Sequence, residues 1–362
     1  MLPPFDKASF EKGSLGKETL EQASLEKKHL EQALLEQQYS PSSCVDDIMI
    51  YIQQYIDQSQ IVIQQAVAEN SVLRDLKYGD LHCNLQCKNK REDEVLDLFL
   101  PAHHSAKGQA AATAQGKKLH VFIHGGYWQE LTKEESAFAA SAFQQAGHYF
   151  AVINYSLAPK ASLTEIVEQN RRALAWLAAN ADELGFDANE IYLSGSSAGA
   201  HLCLMMLQTD WPIYLTKCYL AKKHLQNSCL PSTDQANQPN INTTLNAEQP
   251  FIKGVCAVSG IYDIAPLLKT TINDPLQLTP VEVEANSPLR HLTLNHCPVI
   301  IVFGDNETSE FKRQSLAMKA QLEEQGFTVT FSEIAGRNHF DVILDLGIEG
   351  AWLFEEVLKQ MD

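Results

Sequence analysis

Short runs of the chain carry the residue types that acyl-transfer chemistry needs. The first is Gly195-Ser196-Ser197-Ala198-Gly199, preceded by the apolar Ile191-Tyr192-Leu193 and followed by the helix-like His201-Leu202-Cys203-Leu204-Met205-Met206. Strand, G-x-S-x-G and helix together describe a sharp turn that lifts the central hydroxyl, that of Ser197, clear of a sheet. Small residues at 195 and 199 let strand and helix pack closely beneath it. The pentapeptide alone is a weak signal, because Gly/Ser patterns recur in ordinary loops. Ser196 lies off the apex and is a poor nucleophile.

The second run, His124-Gly125-Gly126-Tyr127-Trp128, follows the apolar Leu119-His120-Val121-Phe122-Ile123. Attack on a carbonyl puts negative charge on its oxygen, and preset N–H donors in a dry pocket stabilise that charge. Gly125, Gly126 and Ala198 are the expected donors. On their own the two glycines would read as a strand-to-helix turn. Tyr127 and Trp128 are candidates to pack a substrate ring, and an anchor for the loop is the alternative for Trp128.

A base is expected late in the chain. His339, in Ala335-Gly336-Arg337-Asn338-His339-Phe340, lies between the last strand and the last helix. A loop histidine there can take the proton of Ser197. The acid has two candidates in Asp305-Asn306-Glu307-Thr308-Ser309-Glu310, which follows Phe303-Gly304. Spacing favours Glu307, with Asp305 second. Glu310 reads as a charge at a helix N-terminus. His103, His104, His224 and His296 have no matching context. His124 orders the oxyanion loop, and His201 belongs to the core or supports the site from behind.

These residues need a scaffold that ends several strands at one place. From about residue 70, strand candidates (73–78, 94–100, 119–124, 149–154, 191–194, 255–259, 298–303, 328–334) alternate with helix candidates (134–146, 163–181, 198–208, 311–325, 346–360). Continuous apolar runs such as Pro298-Val299-Ile300-Ile301-Val302-Phe303 suit strands covered on both faces. The first two strands read as an antiparallel hairpin, the rest as strand–helix units. The expectation is an α/β fold with a mostly parallel sheet of about eight strands flanked by helices. The chain order Ser, acid, His is that of an α/β-hydrolase.

Residues 1–36 read as a helical, partly repetitive N-terminal extension, and 37–362 as the hydrolase domain. In the extension, SLGKETLEQA is followed by SLEKKHLEQA and LLEQQ. Its thin apolar stripe (Leu20, Leu30, Leu34) suits a solvated arm, with association through the arm as the alternative. The stretch 226–249 is a polar surface insertion, with a lid as its functional alternative, a role that 211–225 could carry as a packed helix.

The 362 residues, 45% hydrophobic, are ample for one large core, and the net charge of -17 without a basic stripe excludes nucleic acid as an expected partner. The expected partner is a small-molecule substrate. The oligomeric state is not readable. No signal core or membrane-length run is seen, so a cytoplasmic protein with no membrane contact is expected. Eight scattered cysteines fit a reducing compartment, with Cys203, Cys256 and Cys297 as buried thiols. Cys83-x3-Cys87 after His82 has no second ligand pair, so no metal is expected.

Taken together, these residues resemble the kynurenine formamidase (arylformamidase) family of α/β-hydrolases. HGGYW at 124–128 is the specific element, since related lipases and esterases usually carry HGGG. GSSAGAHL (195–202), SGIYDIAPLLKTTINDPLQL (259–278), Ser287-Pro288-Leu289, Glu307-Thr308-Ser309-Glu310-Phe311 with Arg313-Gln314-Ser315, Asn338-His339-Phe340 and Gln38-Tyr39-Ser40-Pro41-Ser42 match in turn. The resemblance covers about residues 35–362, without the arm and the 226–249 insertion. Ser196 stands where the family often has His. By position the resemblance implies Ser197 as nucleophile, Glu307 as acid and His339 as base. It implies hydrolysis of N-formyl-L-kynurenine to L-kynurenine and formate, in tryptophan catabolism, without metal or organic cofactor. A carboxylesterase for short-chain or aryl esters is the first alternative. A catalytically silent fold used for binding is the remote one, and three complete functional positions argue against it.

Overall fold

The computed structural model describes residues 26–79, 92–102, 116–218 and 250–362. An eight-stranded sheet of order β1-β2-β4-β3-β5-β6-β7-β8 runs through them. The strands are β1 (Val72–Lys77), β2 (Val95–Phe99), β3 (Leu119–Ile123), β4 (Tyr149–Ile153), β5 (Ile191–Ser196), β6 (Ile252–Val258), β7 (Val299–Asn306) and β8 (Val329–Asn338). Only β2 runs against its neighbours: β1 and β4 both pair with it antiparallel. All other pairings are parallel. This is the α/β-hydrolase architecture expected from the sequence, including the initial hairpin.

Alternation along the strands divides the core. Leu119, Val121 and Ile123 face one side of the sheet, with Leu163, Ile166 and Leu174 of the helix Leu163–Ala179 and Leu202 of the helix Ala198–Leu207. Phe122 and Phe150 face the other, with Tyr55 and Ile63 of the helix Ile48–Ala68 and Leu353, Phe354 and Val357 of the helix Trp352–Met361. The inner strands β3 and β4 are buried at every position, as continuous apolar runs covered on both faces must be.

Within the sheet the strands run past their expected ends, β7 to Asn306 instead of 303 and β8 to Asn338 instead of 334, and the larger differences lie outside it. Residues 134–146 form a short 3-10 turn, Lys133–Glu135, and a separate helix Ala140–Gln145. The capping box of Thr132 and Glu135 closes the turn locally. The last helix begins only at Trp352, after a 3-10 stretch Val342–Gly347. The helix Ile48–Ala68 is absent from the sequence expectation altogether. Asp47 caps it by accepting from the Met49 amide at 2.8 Å.

A helix over 26–38 crosses the expected boundary at 36/37 and lies on the body of the protein. Glu36 accepts from the Thr271 amide at 2.7 Å and from its hydroxyl at 3.0 Å. The first copy of the repeat and the 226–249 insertion lie outside the described residues, as do His82, Cys83 and Cys87. Residues 211–218 are helical, with Trp211 fully buried and its indole N–H on the Met206 carbonyl at 3.0 Å. Cys203, Cys256 and Cys297 are buried free thiols and Cys44 is a half-buried one, whereas Cys218 is disulfide-bonded, which departs from a uniformly reducing setting. No helix of the described residues is long and apolar enough to cross a membrane.

Candidate active site

Five parallel strands converge on the site through their C-terminal ends. His124 follows β3, Ser197 follows β5, Ser259 follows β6, Glu307 follows β7 and His339 follows β8. That edge is where open parallel sheets hold their ligands, because loops of different strands meet there.

Ser197 sits at the apex of the turn with φ 57° and ψ −116°, outside the regions favoured by L-residues. Such a conformation costs about 1–3 kcal/mol and persists only when the surroundings over-determine it. Here its amide donates to the Val258 carbonyl at 2.8 Å, which ties the turn to β6. Gly199 is required beneath it: a Cβ there would lie 2.0 Å from the Ile123 carbonyl oxygen. Ala198 opens the helix Ala198–Leu207, so its N–H has no partner within that helix.

The loop after β3 approaches from the other side. A Cβ on Gly125 would lie 2.7 Å from the Ser196 carbonyl oxygen and 3.4 Å from Cβ of Ser197. Only a glycine lets that backbone come so near the serine. The carbonyls of this loop are held from behind, which turns the amides the other way. The Tyr155 hydroxyl donates to the His124 carbonyl at 2.8 Å and reaches that of Gly125 at 3.3 Å. Nδ1 of His124 lies 3.0 Å from the Gly125 carbonyl, and its ring stacks on Tyr155 at 4.1 Å. Burial pulls the His124 pKa down to about 4, against a small opposing effect of that carbonyl. The ring is therefore neutral, with its proton on Nδ1 for the carbonyl.

Behind His339, Nδ1 lies 3.0 Å from Oε2 of Glu307. A carboxylate only accepts, so Nδ1 carries the proton and Nε2 is left as a base. Oε1 of Glu307 accepts from the Ser259 hydroxyl at 2.6 Å and from the Gly304 amide at 2.7 Å. Among the described residues these neutral donors hold the buried carboxylate with no Lys or Arg paired to it. Asp305, the second candidate for the acid, is exposed and instead accepts from the Gly336 amide at 2.9 Å. Phe311 packs against His339 edge-on at 4.4 Å.

Ser197 and His339 line one cavity of about 270 Å³, together with His124, Gly125, Gly126 and Tyr127. Trp128 does not line it. With φ 60° its ring turns into the core, is fully buried and meets His201 edge-on at 4.9 Å. The expectation that Trp128 packs a substrate is corrected: it anchors the loop. His201 is a core residue with Nε2 2.7 Å from the Asn286 carbonyl. In the described part of 211–225, which could have carried the alternative role of a lid, Trp211 packs on Phe251 at 4.4 Å. Tyr39, Ser40, Ile48, Ile52 and Tyr55 also line the cavity.

Sequence reasoning gave no role to Ser259, Tyr155 or Tyr55. Ser259 was findable, because it ends β6 beside β7 and must face the acid loop. Among the described residues no group of His, Cys, Asp and Glu could hold a metal ion.

Comparison with known proteins agrees with this architecture. The family described as BD-FAE matches residues 96–322. A kynurenine formamidase of Danio rerio is 29% identical over 90% of this chain and 92% of its own length. One of Salmo salar is 30% identical over 75% of this chain and 78% of its own. Among solved structures, an esterase of Pyrobaculum calidifontis superposes with a TM-score of 0.54 at 16% identity, covering 92% of this chain and 97% of that one.

Proposed function

The chain belongs to the BD-FAE and kynurenine formamidase families of α/β-hydrolases, and on that premise we propose that it is a serine hydrolase cleaving the formamide of N-formyl-L-kynurenine to L-kynurenine and formate. The observation that carries the reading is the hydrogen bond from His339 to the cation-free Glu307, with His339 and Ser197 on one cavity wall.

In this reading Nε2 of His339 takes the Ser197 proton as Oγ attacks the formyl carbon. The oxyanion is held by amides among Gly125, Gly126 and Ala198, fixed before the charge appears. Glu307 stabilises the imidazolium formed in that step and keeps the ring in its tautomer. His339 then gives its proton to the departing aryl amine. The aryl ring withdraws electron density from that nitrogen, so it leaves more readily than an alkyl amine would. Water activated by His339 releases formate from Ser197. Neither a metal nor an organic cofactor has a step in this sequence.

The cavity suits an aryl substrate. Phe122, Leu131, Phe138, Phe340 and Ile343 offer apolar surface, and Tyr127 lines it with an aromatic edge. The proposed setting is the cytoplasm, where the free thiols Cys44, Cys203, Cys256 and Cys297 would persist.

The test is turnover of N-formyl-L-kynurenine against p-nitrophenyl acetate, with Ser197→Ala as control. Turnover of the formamide, lost in the variant, is the expected result. Turnover of the ester alone would keep the serine chemistry and replace the substrate by a short-chain or aryl ester.

A further inference from the structure

The stretch from Gln38 to Tyr55 touches the loops of the acid, the base and the oxyanion donors. On the acid loop, the Gln38 carbonyl accepts from the Thr308 hydroxyl at 2.7 Å, and its side-chain Oε1 accepts from the Ser309 hydroxyl at 2.7 Å and the Glu310 amide at 3.3 Å. The Cys44 carbonyl accepts from Asn306 Nδ2 at 2.9 Å. Those four residues flank Glu307 on both sides. On the oxyanion loop, the Tyr127 hydroxyl donates to the Tyr39 carbonyl. The Tyr39 hydroxyl in turn reaches Glu310 Oε2 at 3.0 Å and receives Gln314 Nε2 at 3.0 Å.

On the base loop, the hydroxyl of Tyr55 donates to the carbonyl of Phe340, the residue next to His339. Tyr51, one helical turn earlier, stacks on the Phe340 ring at 5.7 Å. Phe340 meets the His339 ring edge-on at 5.3 Å. The peptide beside His339 is thus gripped on its carbonyl and on its ring by one face of the helix Ile48–Ala68. Asp47 caps that helix, and Tyr55 is buried where it makes this contact.

Resting on the reading of Ser197, Glu307 and His339 given above, we propose that Gln38–Tyr55 is a brace that sets the acid, base and oxyanion loops against one another, and that Tyr55 is the positioning residue for His339. Tyr55 touches no reacting atom in this account. It fixes where Nε2 of His339 stands relative to Ser197 and to the leaving nitrogen. Misplacement by an ångström is enough to cost about 100-fold in rate.

The experiment compares Tyr55→Phe with the wild-type full chain on N-formyl-L-kynurenine and on p-nitrophenyl acetate. The aryl amine must receive a proton from His339 to depart, whereas p-nitrophenolate leaves unprotonated. A displaced histidine therefore slows the formamide more than the ester. The expected result is a kcat on the formamide lowered by about 10- to 100-fold with KM nearly unchanged, and a smaller loss on the ester. Tyr51→Leu, at a half-buried position, should show the same pattern more weakly, and it serves if Tyr55→Phe does not fold. An equal loss on both substrates would assign Tyr55 to general stability and overturn the proposal, as would full activity of both variants. Activity surviving in Ser197→Ala, run alongside, would overturn the underlying site assignment instead, and the brace with it.

Discussion

Two buried glutamates of this molecule are compensated in opposite ways. Glu94, one residue before β2, faces Arg172 at 2.9 Å, and that guanidinium also reaches Glu165 at 2.7 Å. Beside it Asp97 is met by Lys133 at 3.1 Å and Arg74 at 2.7 Å. Permanent cations neutralise these carboxylates, as burial of a charge demands. Among the described residues, Glu307, towards the other edge of the sheet, is met by a serine hydroxyl, a backbone amide and a histidine, and by no Lys or Arg. Its charge is solvated but not cancelled. In the proposed reaction, a carboxylate kept in that state would stabilise the positive charge that appears only transiently, on His339. One buried carboxylate ties the start of β2 to the helix Leu163–Ala179, and the other, in the proposed reaction, meets a transient cation.

The largest effect separating the two regions is expected at the histidine. His339→Ala should lower kcat by about a million-fold while costing about 1–3 kcal/mol of stability, from the Glu307 oxygen left unpaired. Next comes Glu94→Gln, which should leave kcat of the folded enzyme as it is and destabilise it by about 3 kcal/mol, read from the urea midpoint. The loss stays at the low end because Arg172 keeps Glu165.

Acid should act on a third set of buried groups. Burial holds His120 at about 3 and His124 and His201 at about 4, so these rings are neutral in the folded protein. The unfolded chain binds protons at the ordinary histidine value, near 6.5, and the folded chain does not. Their folded pKa values are depressed, so the stability they carry is full above about pH 6.5 and is lost as pH falls towards 4. Each should contribute about 1.4 kcal/mol of loss per pH unit in that window. Thermal unfolding between pH 7 and 4 measures it, and a flat profile would contradict it. The smallest effect is expected at Asp305→Asn, whose activity should stay within about twofold of wild type, since its hydrogen bond goes to an exposed glycine amide.

The parts of the site that depend on local chemistry were readable from the sequence. Ser197 needs its flanking strand, helix and glycines, and each of these leaves a mark in adjacent residues. The loop His339 follows a strand in the same way. The choice between Glu307 and Asp305 was open because the two are neighbours in the chain, and it is the parallel pairing of β6 with β7 that brings Ser259 to Glu307. Trp128 was left with two readings because adjacency to Tyr127 does not reveal which way a left-handed backbone turns a ring. The helix Ile48–Ala68 was missed for a different reason. Met49, Ile50, Ile61 and Val67 remain exposed on it, so its apolar residues do not keep to one stripe. Its inward residues Ile48, Ile52 and Tyr55 do recur with helical spacing, but they are diluted among glutamines. What that helix does for the site is a tertiary matter, set by where Phe340 arrives at the end of the chain.

Glu307→Gln tests the central claim most directly. Glutamine keeps the volume and an acceptor for Ser259 and Gly304, but it removes the charge that the imidazolium of His339 requires. The predicted result is a loss of about ten-thousand-fold in kcat on N-formyl-L-kynurenine with stability within about 1 kcal/mol of wild type. Near-full activity in Glu307→Gln would contradict the account and return the choice of acid to Asp305.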